Sequence, residues 1–207
     1  YRAALQVRPF YQQALQLQPE VLARGSRELE SQASALFSDS RNSGTWQALF
    51  TDEQINGWLA TQLVEDRAGK LPDSVREPRV AIGPDTLTLG FTPSQGGVEM
   101  VVSVDTAVFL TEEGEVAIHF KDVRAGALPL PVLQVADEIA GACNNLKLPV
   151  RWTQHEGQPI ALVNISSDAS SSKRRFILDA IQLKQDQLLV AGHTETGAPR
   201  MGGTRRA

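Results

Sequence analysis

The side chains that could carry catalytic or metal chemistry are few and lie far apart in the 207-residue sequence. His119, His155 and His193 do not fall at the spacing of metal ligands, so each is interpreted as an ordinary surface or packed histidine. Cys143 is the only cysteine, which excludes an internal disulfide and a zinc site built from cysteines. Its aliphatic helical surroundings are typical of a small buried residue rather than of a reactive thiol. These patterns predict neither a bound metal nor a cofactor.

Adjacent acidic residues occur at positions 52–53, 112–113 and 137–138, which are interpreted as a helix start, a hairpin tip and the solvated side of a helix. Adjacency in the sequence does not indicate the two separated carboxylates that a glycosidase needs. The motifs of serine hydrolases, zinc proteases and phosphate-binding loops are absent from the sequence. A net charge of −4 argues against binding to nucleic acid. An enzyme is therefore the third hypothesis, after the two given below.

The elements that would position a site begin with a polar helical segment over residues 1–43, which we expect to form an arm or stalk. After a turn-rich break, Thr51 and Gln54 form a capping box, which predicts a helix over residues 51–66. Phe50 and Ile55 are spaced as a hydrophobic staple for the same helix start. The apolar face of this helix consists of Ile55, Trp58, Leu59 and Leu63.

From about residue 75 the apolar residues alternate with a period of two, which is typical of strands joined by hairpins. The segment 98–110 predicts an unusually long strand. Pro131 suits the first turn of a second helix over residues 131–147, with four further strand-like segments behind it. One face of this helix carries Val132, Ala136, Ile139, Cys143 and Leu146, and Leu133 and Ala140 widen it.

This order of elements predicts an α+β fold in which a long, curved antiparallel β-sheet wraps around a central helix, with an N-terminal helical arm. We expect the arm at residues 1–43, a single α+β domain at 44–196 and a disordered tail at 197–207. No run of 18 or more apolar residues is present, so a membrane-spanning helix is not predicted.

Two stretches, "FTDEQINGWL" and "RAGALPLPVLQVADEI", resemble the YpmS-like family of bacterial envelope proteins. The resemblance covers roughly residues 46–165. The matching positions are Thr51, Glu53, Gln54 and Asn56 in the first motif, and Gly126, Leu128, Pro129, Leu130 and Pro131 in the second.

The resemblance implies a protein tethered at the extracytoplasmic face of a bacterial membrane and related to tubular lipid-binding folds of the BPI-like type. It implies no catalytic residues. Because the chain begins at Tyr1 rather than Met, we expect an anchor or signal peptide upstream of it.

The first functional hypothesis is thus a non-enzymatic protein that binds lipid or another apolar ligand between the curved sheet and the helix. The second is a structural or protein-interaction module with a fully packed core and no ligand, whose arm contacts a protein partner. Small residues on the 131–147 helix favour a groove, because they would leave room for a ligand. The residues expected to line this groove are Ile55, Trp58, Leu59, Val132, Ala136, Ile139, Ala140 and Cys143.

Overall fold

Four helices and ten strands make up the part of the chain that the computed structural model describes, namely residues 7–65, 75–93, 100–145, 148–165 and 174–196. The helices are α1 (Pro9–Leu15), α2 (Pro19–Ser40), α3 (Asp52–Glu65) and α4 (Val132–Asn145). The strands are β1 (Gly44–Thr51), β2 (Val75–Ile82), β3 (Leu87–Pro93), β4 (Val102–Leu110), β5 (Val116–Ala125), β6 (Leu128–Pro129), β7 (Val150–His155), β8 (Gln158–Val163), β9 (Arg174–Lys184) and β10 (Gln187–Thr196).

All strand pairs are antiparallel, and they form a larger sheet and a smaller one. The larger sheet has seven strands in the order β2-β3-β4-β5-β8-β7, with the short β6 also paired to β5. The smaller sheet has three strands in the order β1-β10-β9. The predicted α+β class with an antiparallel sheet is therefore confirmed.

One face of the larger sheet, here called the inner face, is apolar from strand to strand. Residues that lie directly opposite each other in an antiparallel pair share a face, so Val104 and Val123 lie together, as do Val108 and Ile118. The register of β5 shifts between these pairs, and Lys121 is the extra residue of the resulting bulge. The bulge keeps the apolar residues of β5 on the inner face along its whole length.

Two different elements cover the two ends of the inner face. Helix α4 packs on one end through Val135, which joins a buried cluster of Val102, Val104, Phe120, Val123 and Ala161. The smaller sheet packs on the other end, where Trp46 and Leu178 form a second cluster with Val116. Ile118 packs against both clusters and so marks the place where the two covers meet.

Helix α1 lies on the opposite, outer face of the larger sheet. Tyr11 is 1% exposed and its ring lies over Gly90, where an added Cβ would come within 2.6 Å of the ring. The hydroxyl of Tyr11 donates a hydrogen bond to the carbonyl of Glu77 at 3.0 Å. Helix α2 lies along α3, and Leu36 of α2 packs into the cluster around Trp46. The segment expected to form an arm or stalk thus packs, over its described residues, against the larger sheet, α3 and β1.

Several boundaries differ from those expected from the sequence. Strand β1 was predicted as a turn followed by a helix start, but it pairs with β10 over its whole length. Strand β4 begins at Val102 rather than at residue 98, and β9, with 11 residues, is longer. The predicted tail at 197–207 and the predicted end of the second helix, at residues 146–147, lie outside the described residues.

Candidate functional site

The residues of α4 that were expected to line a groove are partly packed against the sheet. Ala136 is 3% exposed, and Val132 and Ile139 pack against the cluster around Val135. Ala140 and Cys143, nearer the end of the helix, are half-buried. The first half of α4 therefore contributes to the core, whereas its second half keeps small side chains within reach of solvent.

The residues of α3 that were expected to line the same groove lie elsewhere. Ile55, Trp58 and Leu59 are half-buried on a helix that contacts α2, β1 and β2. Helix α4 contacts β5, β7 and β8 instead. The eight predicted residues thus form two groups, and only the α4 group lies on the inner face of the larger sheet.

Apolar side chains on the inner face beside α4 remain partly accessible. Leu89, Phe91, Ile118 and Trp152 pack against the α4 cluster, yet none of them is fully buried. The rings of Trp152 and Phe120 are tilted against each other with centroids 5.5 Å apart. These side chains form an apolar strip along the sheet, which could accept a hydrocarbon chain without a polar group having to be buried.

The first stretch that supports the family resemblance, around Thr51, has a structural explanation. The backbone N–H of Gln54 donates to the hydroxyl of Thr51 at 3.2 Å, and the N–H of Thr51 donates to the side chain of Gln54 at 3.0 Å. This reciprocal pair confirms the predicted capping box. Glu53 accepts a hydrogen bond from Arg24 at 2.9 Å, which fixes α2 against the start of α3.

The same stretch also provides hydrogen-bond partners for β2. This strand is an edge strand of the larger sheet, and its side away from β3 has no neighbouring strand among the residues that the structure describes. The amide of Asn56 donates to the carbonyl of Val80 at 2.9 Å and accepts from its N–H at 2.8 Å. One turn earlier, the carboxylate of Asp52 accepts a hydrogen bond from the N–H of Ile82. The carbonyl of Ile82 accepts from the N–H of Asp186 at 2.8 Å. Helix α3 and the β9–β10 turn therefore replace a neighbouring strand.

The second stretch that supports the family resemblance turns the chain from β5 into α4. Gly126 has φ of +60° and donates its N–H to the carbonyl of Val101 at 2.8 Å. Leu128 and Pro129 pair back onto β5, and Leu130 donates to the carbonyl of Val123 at 2.8 Å. A side chain other than hydrogen is disfavoured at this φ, which explains the glycine. Both stretches thus have roles in folding.

A cavity of about 460 Å³ lies between α1, the start of α3, β2 and the β9–β10 turn. Its walls include Phe10, Leu17, Asp52 and Asp186, and it contains none of the eight predicted groove residues. Burial and then the nearby charge of Asp186 raise the pKa of Asp52. A second cavity, of about 440 Å³, lies between β4 and β9 and is lined in part by Val108, Phe109 and Ile181.

The three histidines and Cys143 have different surroundings in the described part of the chain. His193 lies on the exposed face of the smaller sheet, where its hydrogen bond to Asp179 at 2.6 Å raises its pKa. His119 bonds to Gln158 at 2.6 Å, and His155 is exposed. Burial raises the pKa of the Cys143 thiol, which disfavours the reactive thiolate. Within the described ranges, no group of three or more His, Cys, Asp or Glu side chains could hold a metal ion.

Comparisons with protein-family models, curated proteins and solved structures found no match to this chain. The resemblance to the YpmS-like family therefore depends on the two sequence stretches alone. None of the helices that the structure describes is long and apolar enough to cross a membrane.

Proposed function

We propose that this chain is a non-enzymatic binding protein that holds a lipid or another apolar ligand on the inner face of the larger sheet, beside α4. In this proposal the hydrocarbon part of the ligand lies along the strip formed by Leu89, Phe91, Ile118 and Trp152. The half-buried residues Ala140 and Cys143 of α4 would face it from the side.

The observation that supports this proposal is the chemistry of the inner face. Partly accessible apolar residues from β3, β5 and β7 pack against the cluster beneath α4. The only polar side chain among the inner-face residues of β4 is Thr106, whose hydroxyl already donates to the carbonyl of Leu87 at 2.9 Å. A hydrocarbon chain can therefore be covered there without leaving a donor or acceptor unsatisfied.

The resemblance to envelope proteins supports a tethered location at the extracytoplasmic face of a bacterial membrane. Lipids are abundant at that location, so a binding strip for hydrocarbon would have ligands available. The location at the membrane is therefore proposed separately from the binding of lipid.

Mass spectrometry of the gently purified protein under non-denaturing conditions tests the binding proposal. A co-purifying lipid, or saturable uptake of a fluorescent fatty acid, is the expected result. A protein that purifies without lipid and takes up no fluorescent fatty acid would contradict the proposal.

A substitution at Ala140 tests the position of the ligand. If the strip beside α4 holds the ligand, Ala140→Trp should block uptake while the protein remains folded. Glu138→Trp, on the exposed side of the same helix, is the matched control and should leave uptake unchanged. If the space is instead filled by protein, Ala140→Trp should lower the free energy of unfolding by about 1–3 kcal/mol through overpacking.

A structural or protein-interaction module is the second candidate, and one observation favours it. Ala136 and Val123 are 3% and 0% exposed, so the centre of the contact between α4 and the sheet is closed to solvent, as in an ordinary core. Under this alternative the Ala140→Trp variant loses stability and the wild-type protein binds no lipid.

A further inference from the structure

The described strand edges of the two sheets differ in how they are protected against pairing with another chain. An unprotected edge strand offers a row of free backbone donors and acceptors, which is a ready template for another strand. The edge of β2 is closed by Asn56, Asp52 and Asp186, as described above. Helix α2 packs against β1, an edge strand of the smaller sheet.

Strand β9, the other edge of the smaller sheet, carries two protective features. Its register with β10 shifts at Gly192, which leaves Asp179 as the extra residue of a bulge. It also begins with Arg174 and Arg175 and ends with Lys184. A bulge and charges on the edge are both devices that discourage pairing.

Strand β7 has none of these devices in the part of the chain that the structure describes. It pairs with β8 in an unbroken register over all six of its residues and is the last strand of the larger sheet. Its sequence, "VRWTQH", contains no proline. Arg151, its one permanently charged residue, is bound to Glu115 at 2.5 Å and so is already compensated. The side chains from Thr153 to His155 are exposed.

We propose that the β7 edge pairs antiparallel with the β7 edge of a second copy of this chain. A two-fold axis perpendicular to the sheet would continue the larger sheet through both copies and satisfy the free backbone groups of each. Several registers keep the inner faces together, and among them the one centred on Trp152 places this ring opposite Trp152 of the second copy. Arg151 then lies opposite Thr153, and Val150 opposite Gln154, so no like charges are opposed and two aromatic rings meet.

This arrangement favours a second copy over an unrelated strand, because every opposing pair is compatible when the strand meets itself. The contact is short, so the dimer should be weak and dependent on concentration. The proposal does not depend on lipid binding, because the pairing uses the backbone edge of β7, although the side chain of Trp152 belongs to both the strip and the contact.

Sedimentation equilibrium of the full chain and of two variants at one exposed position tests the pairing. Thr153→Glu sets a negative charge opposite Arg151 of the second copy, whereas Thr153→Lys sets a positive one there. The two symmetry-related pairs should change the dissociation constant by about 2- to 30-fold, with tighter association for Glu and weaker association for Lys. Circular dichroism of both variants verifies that the fold is retained.

Gln182 provides the matched control, because it is exposed on the protected edge strand β9. Gln182→Glu and Gln182→Lys should leave the dissociation constant unchanged. A chain that stays monomeric at millimolar concentration overturns the proposal. A dimer that responds in the same direction to both Thr153 substitutions, or as strongly to those at Gln182, overturns it as well.

Discussion

The side-chain amide of Asn56 binds both backbone groups of Val80, with its Nδ2 2.9 Å from the carbonyl oxygen and its Oδ1 2.8 Å from the nitrogen. Asn56 is 3% exposed, so these bonds are shielded from water. They attach α3 to the edge strand of the larger sheet by the same pattern that a neighbouring strand would use. The junction between the helical layer and the sheet thus depends on a polar contact within an apolar surface.

Replacing Asn56 with alanine should therefore destabilise the protein strongly. The substitution leaves a buried donor and a buried acceptor of Val80 without partners, which should lower the free energy of unfolding by about 2–4 kcal/mol. Urea denaturation measures the change. Gln62→Ala, at an exposed position of the same helix, is the control and should have little effect. Equal effects of the two substitutions would show that the amide of Asn56 contributes nothing.

The contact between α2 and α3 should be sensitive to a single methyl group. A Cβ added at Gly57 would lie 2.4 Å from the carbonyl oxygen of Leu22 and 2.6 Å from the nitrogen of Ser26. Backbone atoms cannot move aside without separating the helices. We expect Gly57→Ala to lower the free energy of unfolding by about 1–3 kcal/mol, measured by chemical denaturation.

Gly141 of α4 provides the opposite case for the same substitution. It is exposed, and an added Cβ would meet no atom within 4 Å. Because alanine favours a helix over glycine, Gly141→Ala should raise the free energy of unfolding by about 0.5–1 kcal/mol. A Gly57→Ala variant that is stabilised like Gly141→Ala would contradict the described packing of α2 on α3.

The sequence predicted the elements that carry their own local signal. Strands β2 to β5 and β7 to β10 correspond to the alternating segments. Each of these strands has one apolar face, so apolar residues recur at every second position of its sequence. The capping box of α3 is equally local. Strand β1 was missed since its turn-rich start and the following capping box dominated the pattern. It becomes a strand through pairing with β10, which is far along the chain.

The candidate site was less predictable than the elements. The apolar faces of α3 and α4 are visible in the sequence, but the order of the strands decides which part of the sheet each face meets. Hydrophobic period carries no information on that order. The sequence indicated the role of Asn56 only weakly. Asn56 is a polar residue close to the apolar residues Ile55 and Trp58 of the same helix, and a polar side chain that is buried among apolar ones needs a hydrogen-bond partner.

Asp52 should make the stability of the protein depend on pH. Burial, followed by the charge of Asp186, raises the pKa of this carboxyl in the folded chain above its value in the unfolded chain. The folded state then binds the proton more tightly, so the contribution of Asp52 is most favourable at acid pH. This contribution declines as the pH rises from the unfolded pKa, about 3.9, through the folded one.

The substitution Asp52→Asn removes this titration and keeps an oxygen that can accept from Ile82. The difference in the free energy of unfolding, variant minus wild type, should therefore increase as the pH is raised through that window. Urea denaturation at a series of pH values measures the difference. Asp85→Asn, at an exposed carboxyl, serves as the control, and parallel pH profiles for the wild type and Asp52→Asn would refute the assignment.

The ion pair between Arg8 and Asp105 should hold α1 on the outer face of the larger sheet. The two guanidinium nitrogens of Arg8 lie 2.6 and 2.8 Å from the two carboxylate oxygens, and Thr88 donates to the same carboxylate at 2.7 Å. Burial alone would raise the pKa of Asp105, but the hydrogen bonds from Arg8 and Thr88, with the charge of Arg8, lower it overall. The pair is partly buried, so it should contribute more than an exposed one.

A double-mutant cycle with Arg8→Met and Asp105→Asn should give a coupling energy of about 1–2 kcal/mol at neutral pH. Because the folded pKa of Asp105 is lowered, its contribution is complete above the unfolded pKa, about 3.9, and is lost as the pH falls towards the folded value. The coupling should accordingly decrease in acid. The exposed pair of Arg24 and Glu53 offers a second cycle, which should give less than about 1 kcal/mol. Equal coupling in the two cycles would contradict a larger contribution of the Arg8–Asp105 pair to holding α1.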